Sequence, residues 1–349
     1  MATTWQLAEQ YYVGVLASHA TQNSLRPRAS LALPSRGHGV VQLGPRSLLA
    51  VAKRPGDWLL RWAPDGSHAP LWQWAEAGHV FNGHALASPD GRTLYTTETN
   101  LDSGQGCIGV RDAITLQKRD EWPSYGLDPH ALVLDTSSDQ PSFIVANGGI
   151  ATQPETGRSK IDLAHMDSSL VRIDAHSGAL LGQWRLADPR LSMRHLAWSR
   201  AGSERRLGIA LQAEHDSADD KRRAPVLALW NGSTVTAKPH LQNGDSTAPS
   251  LAGYGGDIAS TDDGWAVSCP RADGVAWFAA DGAWRSWQPL AKACALVAGT
   301  SLNSATNTVW AAGNQSALIT GRNPQEHAIY AIETTQLHID NHWQLWSAA

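Results

Sequence analysis

Five histidines, one aspartate and one cysteine recur at one kind of place in this sequence. His38 in "SRGHGVVQLG", His84 in "FNGHALASPDGRTLYTTE", His130 in "LDPHALVLD" and His195 in "SMRHLAWS" each stand just before or within a short apolar run. Asp257 in "YGGDIAST", Cys294 in "LAKACALVAG" and His342 in "IDNHWQLW" fill the same slot further along. Neutral imidazole offers a nitrogen lone pair, and thiolate favours copper(I), zinc or iron. Brought together, these groups form a metal-ligand inventory, whereas crowded imidazoles without metal would repel one another once protonated. Seven donors exceed what one tetrahedral ion takes, so a subset binds or more than one ion is held. The competing readings are a hydrogen-bonded channel lining and a site for a small organic or anionic ligand.

Elements of a particular kind must position such a slot. Amphipathic helical patterns are nearly absent; "TTWQLAEQ" alone reads as one helical turn or a strand. Apolar runs of strand length alternate with the turn signals "APDG", "SPDG", "AHSG", "TDDG", "RADG" and "AADG". The slots are spaced by 46, 46, 65, 62, 37 and 48 residues, a period that suits four-stranded propeller blades. The spacing predicts an all-β, seven-bladed β-propeller over residues 1–349 as a single domain. Its last blade would join "HWQLW" to the N-terminal strands "WQLAE", "YYVGVLA" and "ASLALP", closing the ring and removing the sheet edges. The slots would then surround one channel mouth. The long insertions "NGGIATQPETGRSKIDLAHMD" and "QAEHDSADDKRRAP" would roof the same face.

Further residues are expected near that mouth. Glu98, Asn147 and Gln212 end second strands and can orient ligands through hydrogen bonds, or else cap sheet ends. Arg36 and Arg194 precede slot histidines and can anchor a carboxylate or phosphate, or form surface ion pairs. His79, His165 and His215 read as loop residues, although His165 and His215 stand in the insertions and can complete a site. Cys107 and Cys269 read as structural thiols, and the Trp-rich runs as core between blades. "GQGCIG" at Gly104–Gly109 fits a dinucleotide fingerprint but lacks the following helix that such a site needs.

The 349 residues carry a net charge of −4 with no long basic run, which does not suggest nucleic-acid or anionic-membrane binding. No stretch approaches the apolar length of a membrane span. The start "MATTWQLAEQ" shows no signal peptide. From the residues alone, the chain is cytoplasmic or one whose export signal has been removed. A monomer is expected.

The motifs "RGHG", "FNGHALASPDGRTLYTTE", "GLDPHAL", "VANGGI", "MRHLA" and "DNH" together resemble the bacterial domain-of-unknown-function family 1513, over almost the whole chain. The resemblance implies a seven-bladed propeller, export to the periplasm, and a setting beside imelysin-like iron-uptake proteins. Matching positions are His38, His84, His130, His195, Cys294 and His342, with Asp257 in a less regular slot. What the resemblance implies is a periplasmic metal-binding protein of iron acquisition, with other periplasmic iron-uptake proteins as partners; its setting favours iron, and the His-plus-Cys inventory puts copper next. It implies no particular reaction. The alternatives are a copper-dependent redox enzyme using the same site and a protein-interaction propeller without metal.

Overall fold

The computed structural model describes residues 1–19, 22–135, 140–152, 160–199, 205–240, 249–299, 308–313, 316–320, 327–334 and 336–346. The chain divides into two compact units. The first comprises Met1–Leu16, Pro27–Arg185 and Trp343–Ala349, and the second Ala17–Arg26 and Leu186–His342. Both are all-β, and the single α-helix among the described residues is the short Ala218–Arg223, capped by Ser217.

The first unit begins with β1 (Ala2–Leu7), β2 (Gln10–His19) and β3 (Ser24–Leu33), of which β2 and β3 run across the division between units. The opening "TTWQLAEQ" is thus strand rather than helix: Ala2 to Leu7 pair with Val15 to Gln10, and its two threonines and tryptophan suit a half-buried pleated surface. Three antiparallel four-stranded sheets follow. They are β4 (Gly37–Leu43), β5 (Ser47–Ala52), β6 (Trp58–Trp62) and β7 (Leu71–Trp74); then β8 (His79–Ala87), β9 (Thr93–Asn100), β10 (Gly106–Asp112) and β11 (Lys118–Pro123); then β12 (Pro129–Asp135) and β13 (Ser142–Asn147) with β16 (Ser169–Asp174) and β17 (Leu180–Trp184). Between β13 and β16 lies the hairpin of β14 (Ala151–Thr152) and β15 (Lys160–Ile161), part of the first long insertion. Residues 153–159 of that insertion lie outside the described residues.

The second unit holds three more such groups: β18 (Leu191–Trp198), β19 (Leu207–Ala213), β20 (Leu227–Trp230) and β21 (Val235–Lys238); β22 (Ile258–Thr261), β23 (Gly264–Cys269), β24 (Gly274–Ala279) and β25 (Trp284–Pro289); β26 (Leu296–Gly299), β27 (Thr308–Ala312), β28 (Ser316–Thr320) and β29 (His327–Ile332). Here β29 pairs in parallel with the start of β3, Ala331 opposite Ser24 and Ile332 opposite Leu25. The last strand, β30 (Leu337–Gln344), ends in the first unit, where it neighbours β1 in the order β3-β2-β1-β30.

Sheet faces bury alternating apolar residues in several cores. In the first unit, Leu49, Val51, Leu59, Phe81 and Leu94 form one core, and Tyr95, Ile108, Phe143, Val145 and Val171 another. Trp58, Trp62 and Trp72 join a third, as the Trp-rich run leads one to expect. In the second unit Trp265 and Phe278 are buried together, with Trp284 and Trp287 packed against them. Full burial of each such side chain contributes about 1.5–3 kcal/mol.

One buried group makes stability depend on pH. His240, just past β21, is 1% exposed, and neither ring nitrogen has a hydrogen-bond partner among the described residues. Burial lowers its pKa to about 4. The folded chain therefore keeps it neutral, while the unfolded chain protonates it near the ordinary value of about 6.5. The contribution is intact above pH ~6.5 and is lost as pH falls toward 4, by roughly 3 kcal/mol in all. Urea unfolding of wild type and His240→Leu at pH 7 and pH 4.5 should show the variant losing less stability on acidification; parallel losses would contradict this.

Candidate metal centre

At four slots, the strand slips register against its neighbour at the histidine itself. The shift lies between Gly37 and Val40 on β4, Phe81 and Ala85 on β8, Pro129 and Leu132 on β12, and Met193 and Leu196 on β18. Each slip is a β-bulge, which leaves residues out of the ladder and re-aims their side chains. His38, His84, His130 and His195 are thus held inside strands, where the sequence pattern placed them at strand openings.

In the first unit the bulges of β4, β8 and β12 bring three imidazoles together. Nε2 of His38 and Nε2 of His84 are 3.1 Å apart. The ring centres of His38 and His84 are separated by 4.8 Å, those of His84 and His130 by 4.6 Å, and those of His38 and His130 by 5.8 Å. A ring nitrogen from each lies within 4.8 Å of one from every other. Two Nε2 atoms this close need either one proton between them, with complementary tautomers, or a cation that takes both lone pairs. His38 and His130 are buried at 4% and 5% exposure, so charging the imidazoles instead is disfavoured.

Two glycines permit this approach. A Cβ on Gly39 would sit 2.4 Å from the Gly83 carbonyl oxygen, and one on Gly83 would sit 2.5 Å from His38 Cδ2. Gly83 also has φ +99°, a conformation that other residues rarely adopt. Gly39→Ala should therefore force β4 and β8 apart, costing about 1–3 kcal/mol and weakening metal binding with it. Wild-type stability and wild-type metal affinity in Gly39→Ala would show that the close approach does not set the imidazole geometry.

The second unit joins two imidazoles to a carboxylate. His342 Nδ1 lies 3.2 Å from Asp257 Oδ2, and His195 Nδ1 lies 4.0 Å from Asp257 Oδ1. The His195 and His342 rings are 4.4 Å apart at their centres. Asp257, set just before β22, accepts the Ile258 N–H on Oδ1 and the Leu296 N–H on Oδ2, both at 2.9 Å. These bonds fix the carboxylate in place. His195, Asp257 and His342 present donor atoms within 4.8 Å of one another.

The other slot and neighbouring residues fall outside these two donor groups. Cys294 Sγ lies 3.4 Å from the Asp340 carbonyl and 3.6 Å from that of Ala312; no potential metal-holding group among the described residues includes it. Asn147 donates to the Ser124 carbonyl at 2.9 Å, and Gln212 to that of Gly255 at 3.3 Å, so both tie loops to sheet ends. Arg36 is exposed, whereas Arg194 is fully buried within the β18 bulge. His165 pairs with Asp162, and His215 with Asp188. Cys269 is fully buried, and burial pushes its thiol pKa up.

Glu98 belongs to a different construction. Cross-strand pairing sets His79 opposite Asn100, Phe81 and Cys107 opposite Glu98, and Glu121 opposite Gly109, so these residues share one face of the sheet β8–β11. Glu98 Oε1 accepts from Arg111 Nη2 at 2.9 Å, and Lys118 Nζ lies 2.7 Å from Oε2. Glu76 reaches back to Arg111 with both oxygens, at 3.0 and 2.6 Å. Burial opposes the Glu76 charge, but the Arg111 hydrogen bonds and charge outweigh it and hold its carboxyl below the usual range. A Cβ on Gly109 would meet Glu98 Oε1 at 2.0 Å; the missing side chain makes room for the carboxylate. The sequence signal for this cluster is the parity of Glu98, Gly109 and Arg111 along paired strands.

The family described as "Protein of unknown function (DUF1513)" matches residues 31–346. No curated protein matches the chain. Among solved structures, "Kuenenia stuttgartiensis Hydrazine Synthase" aligns with a TM-score of 0.62 at 11% identity, covering 93% of both chains. "Crystal Structure of Mitotic Checkpoint Complex" aligns at 0.56 and 11% identity, covering 86% of this chain and 81% of the other. Sqt1 of Saccharomyces cerevisiae aligns at 0.53 and 12% identity, covering 94% and 80%. At such identities the likeness is one of fold alone.

Proposed function

The chain belongs to the DUF1513 family, and from that premise we propose that it is a metal-binding protein of iron acquisition or handling, working in the periplasm. The observation that carries metal binding is the convergence of His38, His84 and His130 from three bulges, with two Nε2 atoms 3.1 Å apart. The set His195, Asp257 and His342 supports iron first, because two imidazoles and one carboxylate are a donor set that suits iron(II). Periplasmic location and iron-uptake partners rest on the setting of the family. The six four-stranded groups, with β3-β2-β1-β30 as a seventh, support the reading of a closed seven-bladed propeller.

Copper remains the second reading, since three imidazoles suit copper as well, and a copper-dependent redox enzyme could use the same residues. The test is equilibrium dialysis of metal-stripped protein against iron(II) under anaerobic conditions and against copper(II), at pH 7.5 and pH 5. Iron uptake of at least one ion per chain at pH 7.5, reduced at pH 5 where protons compete with the metal for the imidazole lone pairs, is expected. Uptake of neither metal would leave the interaction propeller as the reading.

A further inference from the structure

The charged face of the sheet β8–β11 carries three donors that the slot residues do not include. We propose that His79 Nε2, Cys107 Sγ and a carboxylate oxygen of Glu121 form a further metal site, suited to a divalent, thiolate-binding ion of the zinc class. The three donor atoms lie within 4.8 Å of one another, on β8, β10 and β11. His79 Nδ1 is 3.2 Å from the Ala77 carbonyl. Donation of its N–H there leaves the Nε2 lone pair between Glu121 Oε2, at 2.9 Å, and the Asn100 amide nitrogen, at 3.4 Å. A lone pair and a carboxylate oxygen at that distance repel unless a proton or a metal ion lies between them. Such orientation of a ligating imidazole by a backbone carbonyl is common at metal sites.

The charge of this face points the same way. Glu76, Glu98 and Glu121 oppose Arg111 and Lys118, which leaves one formal negative charge. Loss of the Cys107 proton makes two, and a divalent ion balances them. Lys118 keeps Glu98 Oε2, at 2.7 Å, as partner when Glu121 turns to the ion. The side chains of His79 and Glu121 are partly exposed, at 17% and 33%, and open the way in, while Cys107 closes the inner end at 4%. Binding involves no redox step: the thiol proton leaves to solvent as the sulfur–metal bond forms.

Cobalt(II) added to the full, metal-stripped chain tests the site, because thiolate ligation gives cobalt a sulfur-to-metal charge-transfer absorption. The band should saturate at one ion per chain, vanish in Cys107→Ser, and persist in both Cys294→Ser and the double variant His84→Ala/His130→Ala. Persistence of the band in Cys107→Ser, its loss in Cys294→Ser, or its absence from wild type would overturn the proposal. Should Cys107→Ser fail to fold, His79→Gln and Glu121→Gln give the reading instead. Each should weaken cobalt binding at least ~10-fold, and unchanged affinity in both would likewise overturn it. The arm with His84 and His130 replaced keeps this result separate from the fate of the histidine centre.

Discussion

Replacing His84 and His130 together by alanine should weaken iron binding in the first unit by at least ~100-fold while the chain stays folded. Removing a group that merely orients a ligand costs about 10–100-fold in affinity, and this variant removes two donors outright. The two rings are neighbours, 4.6 Å apart at their centres, and His38 is left without either. Neither imidazole is among the residues of the apolar cores, which consist of side chains such as Leu49, Phe81, Phe143 and Val171, so far-ultraviolet circular dichroism and the melting temperature should change little. Binding isotherms read the loss. An unchanged isotherm with an unchanged pH dependence would mean that these imidazoles are not ligands.

Glu98→Ala should destabilise the chain by about 3 kcal/mol in urea unfolding. Removing one partner of a buried ion pair costs about 3–5 kcal/mol, because the other charge is left uncompensated. Arg111 is fully buried, but Glu76 still holds it by two hydrogen bonds, which puts the effect at the lower end. Glu76→Ala should cost less, since the Glu76 side chain is 33% exposed and Glu98 remains on Arg111. Equal costs for the two variants would show that Arg111 does not depend on the buried carboxylate.

The slot itself was legible in the sequence because it repeats: His38, His84 and His130 stand 46 residues apart, each before an apolar run. The strands of β8 to β11 were legible too, from alternation and the "SPDG" turn. The bulges were not. A register slip is a relation between two strands, and nothing local to "NGHA" states how many residues of β9 lie opposite it. Glu98 was expected beside the slot histidines because it ends a second strand. Side-chain parity instead turns it toward Cys107 and Arg111, where burial and charge pairing hold it. His79, Cys107 and Glu121 share no motif; they meet only because the four strands β8 to β11 pair in one register. Asp257 was the least regular slot, yet its carboxylate lies between two imidazoles, since two backbone N–H groups turn it there.

The central claim is that these histidines hold a metal ion, and diffraction at the iron and copper absorption edges tests it most directly. Crystals of protein loaded with iron(II) should give an anomalous peak at the iron edge within bonding distance of the His84 and His130 rings, or of the His342 ring and the Asp257 carboxylate. Crystals of loaded protein with no anomalous peak at either edge beside any of these side chains would contradict the account.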